Sequence, residues 1–217
     1  MSLLTQRTTK KYISVLSSDG TFRLKVDETT PGAVKRDYET STGEKGVKWE
    51  LVFSKLEGLI KNIQLRDGDY GQQVQITVDN NGEQAILSLG VGNSHGEDFL
   101  KKLPNLDFSK PVSLEPFTFE NDQKRTIRGI NIKQDGEKVK NYYWNAEEKE
   151  ALHGFPEPEG DVETYEKPDW KIHFLKVNKF LVAETAKLIT DKFSAVDAGD
   201  TVEYPTEDSS EAGGGHF

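Results

Sequence analysis

Positively charged and aromatic residues are interleaved in the stretch KRTIRGINIKQDGEKVKNYYW, residues 124–144. Proteins that bind single-stranded nucleic acid combine cations that follow the phosphates with exposed rings on which bases stack. We predict a β-hairpin here, with strands at 126–133 and 137–144 joined by the turn Gln134-Asp135-Gly136. Because side chains alternate between the two faces of a strand, the second strand would place four candidate DNA-binding residues on one face: Lys138, Lys140, Tyr142 and Trp144.

Other residues could extend this candidate site. Lys124, Arg125 and Arg128 lie across the predicted hairpin and would add phosphate contacts. Lys61, Arg66 and Tyr70 come from an earlier strand and its turn, and would close one edge of a groove. The alternative interpretation is that these lysines only solvate a strand and that Trp144 caps the core. Trp49 alternates with Val47, Leu51 and Phe53, so we predict that it belongs to the core.

The sequence offers little for catalysis or metal binding. It has no cysteine, and its four histidines form no HxxxH or HxH pair. It contains none of the common nucleotide-binding, nucleophile-elbow or zinc-protease motifs. The segment GVGNSHG, residues 90–96, precedes a predicted helix, and we interpret Asn93 and Ser94 as helix caps rather than a phosphate cradle. We therefore expect a protein that is not an enzyme and that needs no metal or other cofactor.

Charge is distributed unevenly along the chain. The formal net charge is -9, but residues 197–217 hold six carboxylates and no lysine or arginine, whereas residues 124–140 hold six basic and two acidic residues. The negative total therefore does not exclude a basic binding face. No segment is apolar enough for a signal peptide or a membrane span, and cysteine is absent, so we expect a cytoplasmic protein without membrane contact.

The pattern of the chain predicts an all-β protein with minor α content. Strands are indicated at 11–17, 21–26, 46–53, 55–66, 73–79, 84–90 and 113–119, in addition to the hairpin above. A short helix at 95–103 ends before Pro104, and an amphipathic helix follows at 177–196. We predict an OB-type closed β-barrel with an N-terminal hairpin extension, the short inserted helix and a C-terminal helix, with a β-sandwich as the rival. The domain would cover 1–196, with its core at about 47–144, and 197–217 would be a disordered acidic tail.

A β-rich body, a basic and aromatic hairpin and an acidic tail ending in Phe217 together resemble single-stranded DNA-binding proteins of bacteria and their phages. The phage-encoded type is most similar, because KLEGLIKNIQLRDGDYGQQVQITV, AILSLGVG and DFLKKLPNLDFSKPVSL precede the basic hairpin in that order. The resemblance implies an OB-fold that coats single-stranded DNA with little sequence preference during replication, recombination or repair in the host cytoplasm. It also implies a tail that competes with DNA and recruits replication or recombination proteins. The matching tail residues are Glu207, Asp208, Glu211 and Phe217, although Gly213-Gly214-Gly215-His216 separates the acids from the final ring.

Two other functions fit the same composition. One is a protein-interaction or virion-structural β-protein without enzymatic activity. The other is an acidic DNA mimic, which only the net charge suggests. The basic hairpin distinguishes them, because DNA binding requires it to be exposed and the alternatives do not. Assembly into a homo-oligomer is compatible with all three.

Overall fold

The computed structural model describes residues 10–40, 42–68 and 71–193. The acidic tail and Tyr70 lie outside these residues. The two α-helices of the described part are α1 (Ser94–Lys102) and α2 (Lys167–Phe193). Its strands are β1 (Lys11–Leu16), β2 (Thr21–Val26), β3 (Val34–Glu39), β4 (Lys45–Phe53), β5 (Leu56–Gly68), β6 (Gly71–Asn80), β7 (Glu83–Gly90), β8 (Val112–Glu120), β9 (Thr126–Gln134), β10 (Glu137–Lys138), β11 (Trp144–Asn145) and β12 (Glu150–Ala151).

Ten strands form one mixed sheet in the order β10-β9-β8-β5-β6-β7-β1-β2-β4-β3, and β11 pairs with β12 separately. The sheet does not close into a barrel, so the predicted OB-type closed barrel is wrong. The physical reason is the N-terminal hairpin. Strand β1 pairs in parallel with β7 and occupies the edge that β9 would need to close a barrel. Strands β2, β4 and β3 then extend the sheet outward.

The sheet has an inner face, which packs on the helices, and an outer face. Ile63, Ile76, Leu87 and Leu114 on the inner face are fully buried together with Phe99 of α1 and Leu181 of α2. The register places the alternate residues of the central strands on the outer face, where they are mostly polar and half-buried. Such alternation is typical of a sheet with only one covered face.

Strand β5 bends at Gly58, as the sequence indicates. A Cβ atom at this position would lie only 2.4 Å from the carbonyl oxygen of Asp79, and the φ angle is 151°. The bend lets β5 pair with β8 through Leu56–Gly58 and with β6 beyond it, and a register shift follows between Ile60 and Asn62. This one strand therefore joins the β8–β9 hairpin to the central sheet.

The tip of the β1–β2 hairpin rests against β8. Gly20 has a φ of 66°, and a Cβ atom there would lie 2.5 Å from the main-chain nitrogen of Thr118. The carbonyl oxygen of Ser17 accepts hydrogen bonds from Thr118 Oγ1 at 3.0 Å and from Arg128 Nε at 3.1 Å. Main-chain contact and hydrogen bonds thus hold the two hairpins together without a strand ladder.

The apolar face of β4 is not core, contrary to the expectation for Trp49. Val47 and Phe53 are 48% and 39% exposed, and Trp49 and Leu51 are half-buried. The alternation is present, but β4 lies where the sheet extends past the helices, so the described residues leave this side partly exposed. The buried residue of β4 is instead Glu50, on the outer face. We call Val47, Trp49, Leu51 and Phe53 the β4 stripe.

The helices follow the sequence pattern only in part. Helix α1 begins after Asn93, whose Oδ1 accepts a hydrogen bond from Gly96 N at 2.8 Å, so the cap interpretation of Asn93 is confirmed. Helix α2 begins at Lys167, ten residues before the predicted start at 177. The sequence pattern did not indicate these first turns, because they expose Ile172, Phe174 and Leu175 and carry no buried apolar stripe. No helix among the described residues is long and apolar enough to cross a membrane.

Candidate functional site

The β8–β9 hairpin presents two unpaired cations at its tip. Asn121 Oδ1 accepts hydrogen bonds from the main-chain nitrogens of Gln123 and Arg125 at 3.1 and 2.9 Å, which fixes the turn. Lys124 adopts a left-handed φ of 57° within it. Lys124 and Arg125 are exposed, and neither forms an ion pair with any described residue. They are therefore available to a negatively charged ligand.

Beside these cations lies an exposed apolar pair that the sequence reasoning missed. Phe119 and Ile127 face each other across the hairpin and are 54% and 36% exposed. Phe117 supports them, with its ring centroid 5.8 Å from that of Phe119. Opposite Phe117, a Cβ atom on residue 129 would lie 2.7 Å from its Cζ, so Gly129 makes room for the ring. Leu114, Pro116 and Thr118 point to one face of β8, so Phe117 and Phe119 point to the other. This alternation was the signal in the sequence that Phe119 is exposed.

Arg128 has a different role from its neighbours in the turn. It pairs with Thr118 on the opposite face from Phe119. Its Nε donates to the carbonyl oxygen of Ser17 in the β1–β2 hairpin. Arg128 thus links the β8–β9 hairpin, near its tip, to the β1–β2 hairpin, and its side chain remains exposed.

The predicted row Lys138–Lys140–Tyr142–Trp144 does not exist, because β10 ends at Lys138. Hydrogen bonds to α1 and to the turn after it hold this segment away from β9. Tyr142 N donates to the carbonyl oxygen of Lys101 at 2.8 Å, and Asn105 Nδ2 donates to that of Lys140 at 3.1 Å. Without a continuous strand, the four side chains do not share one face.

The four residues of the predicted row differ in their exposure. Lys138, Lys140 and Trp144 are exposed, and Trp144 belongs to the separate β11–β12 pair. One face of the Tyr142 ring is covered by His153, with centroids 3.8 Å apart and ring planes within 6°. The neighbouring Tyr143 is buried, and this burial raises the pKa of its hydroxyl to about 12. Tyr142 and Tyr143 therefore contribute mainly to packing.

The two predicted cations on β5 lie in the same sheet as the hairpin. Lys61 sits at the register shift of β5 and is exposed. Arg66 is half-buried on the outer face, opposite Gln73, and donates from Nη2 to Gln64 Oε1 at 2.8 Å. The register places Arg66 on the same side of the sheet as Phe119. Arg66 thus shares a side of the sheet with the hairpin tip but lies toward the opposite end of the β5–β8 pair. Trp144 lies outside this sheet.

The interior near this site holds the titratable side chain of His95. His95 of α1 is buried, and its Nε2 has no hydrogen-bond partner among the described residues. Burial, more than the charge of nearby Arg128, lowers its pKa. A neutral His95 packs between α1 and the hairpin and has no access to a ligand.

The described residues contain no group of three or more acidic, histidine or cysteine side chains placed to hold a metal ion. Comparison of the chain with protein-family models, curated proteins and solved structures finds no significant match. The geometry alone therefore has to support a function.

Proposed function

We propose that this protein binds single-stranded DNA through the tip of the β8–β9 hairpin, without catalysing a reaction. The supporting observation is the exposed Phe119–Ile127 pair beside the unpaired cations Lys124 and Arg125. An exposed ring offers a stacking surface to any base, and cations in the turn contact phosphates in any sequence. The same elements would give little sequence preference, as coating DNA requires.

Residues outside the hairpin would add further DNA contacts or control access to the site. Lys61 and Arg66 would contact a strand that continues along β5 away from the hairpin tip. The exposed Lys138, Lys140 and Trp144 contribute at the margin of the site. Glu207, Asp208, Glu211 and Phe217 lie outside the described residues. We propose that this acidic tail competes with DNA for the cations and that Phe217 recruits replication or recombination proteins. A phage-encoded protein acting on DNA in the host cytoplasm fits this role.

Phe119→Ala is expected to weaken binding of labelled oligo-dT by about 5- to 150-fold, since one stacked base contributes about 1–3 kcal/mol. Fluorescence anisotropy titrations of the full chain, with a duplex of equal length alongside, measure this loss. The matched control is Phe174→Ala, which removes a similarly exposed ring from α2.

Replacing Lys124 and Arg125 together by Gln should lower the slope of log K against log salt by about 1.4.

The same titrations include the chain without residues 197–217, which should bind more tightly at low salt. Preference for the single strand, together with a loss confined to Phe119→Ala, supports the proposal. Equal affinity for duplex, equal losses in both phenylalanine variants, or no binding at low salt would overturn it.

A second candidate function, contact with another copy of this chain, is favoured by the exposed β4 stripe. The same face carries Lys35 beside Asp37 at 3.6 Å and Lys45 beside Glu39 at 3.9 Å. This rim has equal numbers of positive and negative charges. When two copies pack around a two-fold axis, each positive charge of one rim can face a negative charge of the other. An apolar centre with such a rim is typical of protein interfaces.

Val47→Asp is expected to convert a self-associating chain to monomers, because it places a charge in the centre of the β4 stripe. Sedimentation equilibrium over a range of concentrations measures the mass. Val52→Asp is the control, since Val52 is comparably exposed on the outer face of the same strand. A wild-type chain that stays monomeric, or two variants that behave alike, would rule out this interface.

A further inference from the structure

The outer face of the N-terminal sheet extension gathers four cations from three strands. The ladder places Arg23 and Lys25 of β2 beside Val52 and Glu50 of β4. It places Lys48 of β4 beside Arg36 of β3. These residues share one side of the sheet, because opposite partners in a ladder point the same way.

A buried carboxylate holds two of these cations in place. The Arg36 guanidinium donates to both oxygens of Glu50, from Nε at 2.8 Å and from Nη2 at 2.7 Å. Arg23 Nη1 lies 3.9 Å from the same group. The hydrogen bonds and charge of Arg36 hold the pKa of Glu50 below its usual value despite the opposing effect of burial. One ionised carboxylate thus orients two guanidinium groups, whose side chains are only 11% and 21% exposed.

The remaining two cations form no close ion pair with a described residue, although the charge of Lys48 also helps to lower the pKa of Glu50. Lys25 is exposed. Lys48 is half-buried, with its Nζ over the ring of Tyr38 at 4.5 Å from the centroid. Counting Asp19, which pairs with Arg23, the face carries two more positive than negative charges. This excess stands out in a chain whose formal net charge is -9.

The opposite face of the same strands has a different composition. There, Lys35 and Lys45 are matched by Asp37 and Glu39 around the β4 stripe. The positive excess is therefore a property of one face and not of the strands in general. Electrostatic attraction of a polyanion would be directed to the outer side.

The outer face is also continuous with the proposed DNA site. The β1–β2 turn links the two, because Gly20 packs against Thr118, next to Phe119. Lys25 lies five residues beyond Gly20 on β2, or about 17 Å at about 3.4 Å per residue.

We propose that this outer face, through Lys25, Lys48 and the Arg23–Glu50–Arg36 network, is a second contact for the phosphates of the same single strand. The inference rests on the proposed function and extends it, because it gives the strand a path along β2. At about 3.4 Å per stacked nucleotide, spanning the two contacts takes about five nucleotides or more. A shorter oligonucleotide bound at the hairpin cannot reach the second contact.

The test compares oligo-dT of about four and about twenty nucleotides on the full chain at ~0.1 M salt. Lys25→Gln with Lys48→Gln removes two outer cations without adding repulsion near Glu50. Two lost phosphate contacts should weaken binding of the long oligonucleotide by about 10- to 30-fold and leave the short one unchanged. Lys35→Gln with Lys45→Gln is the matched control, because it removes two charges from the opposite face. Thermal melts check that both pairs fold.

The possible results distinguish the second contact from the proposed function. A loss confined to the outer pair and the long oligonucleotide supports the second contact. Equal losses in both pairs would show only an effect of total charge, and an equal loss on both lengths would place these lysines at the first contact; either result overturns the inference and leaves the proposed function standing. A wild-type chain that binds neither oligonucleotide overturns the proposed function, and the second contact falls with it.

Discussion

Gly20→Ala is expected to lower the free energy of unfolding by about 2–5 kcal/mol. The left-handed φ of 66° costs a non-glycine residue about 1–2 kcal/mol. The new Cβ would also lie 2.5 and 2.6 Å from main-chain atoms of Thr118 and Phe117, and forcing such a contact costs about 1–3 kcal/mol more. Because these atoms belong to the backbone of β8, no side-chain rotation can relieve the overlap.

Urea denaturation measures this loss, and Gly136→Ala is the control. Gly136 also has a left-handed φ, of 81°, but no atom lies within 4 Å of its Cβ position. It should lose only about 1–2 kcal/mol. The difference between the two variants isolates the contact between the β1–β2 hairpin and β8. Equal losses would contradict the close approach seen in the structure.

Arg36→Met is expected to lower the free energy of unfolding by about 3–5 kcal/mol, because it leaves the Glu50 carboxylate buried without its bidentate partner. Arg23, at 3.9 Å, compensates only weakly. Adding Glu50→Leu should restore most of the loss, since an apolar pair of similar volume replaces a broken ion pair. Urea denaturation of the wild type and the single and double variants tests this. A double variant no more stable than Arg36→Met would contradict it.

The same pair predicts a pH dependence. The pKa of Glu50 is lower in the folded chain than its ordinary value of 4.5, so the unfolded chain binds the proton first. The stability from the pair is fully present above about pH 4.5 and is lost as the pH falls through the folded pKa. The difference between wild type and Arg36→Met should therefore be largest near neutral pH and shrink toward pH ~3. A difference that is constant with pH would mean that Glu50 is not the group involved.

Local signals predicted the parts of this fold that depend on a few neighbouring residues. The turns at Ser18-Asp19-Gly20, Asn80-Asn81-Gly82 and Gln134-Asp135-Gly136 all lie between paired strands. Asn93 and Pro104 likewise indicated where α1 begins and ends. Each signal reflects backbone conformations that the residue itself favours.

Features that depend on distant partners were not predictable in the same way. Nothing local indicates that β1 pairs with β7, and that pairing decides that the sheet stays open. The sequence does alternate around Trp49 and between Lys138 and Trp144. The described residues leave the first stretch partly exposed, and the second belongs to a chain segment hydrogen-bonded to α1. Phe119 was overlooked because an aromatic residue in a strand is usually taken for core.

The attachment of the β1–β2 hairpin has a consequence for how the chain is made. Ser17 accepts its hydrogen bonds from residues 101 and 111 positions later in the chain, and β1 completes its ladder only with β7. During synthesis the hairpin therefore leaves the ribosome before β7, β8 and β9, and cannot dock until they have emerged. Contacts between distant segments form slowly, so we expect docking of this hairpin to be the late step in folding. Strands β1 and β2 are thus translated before their partners but reach their place after them.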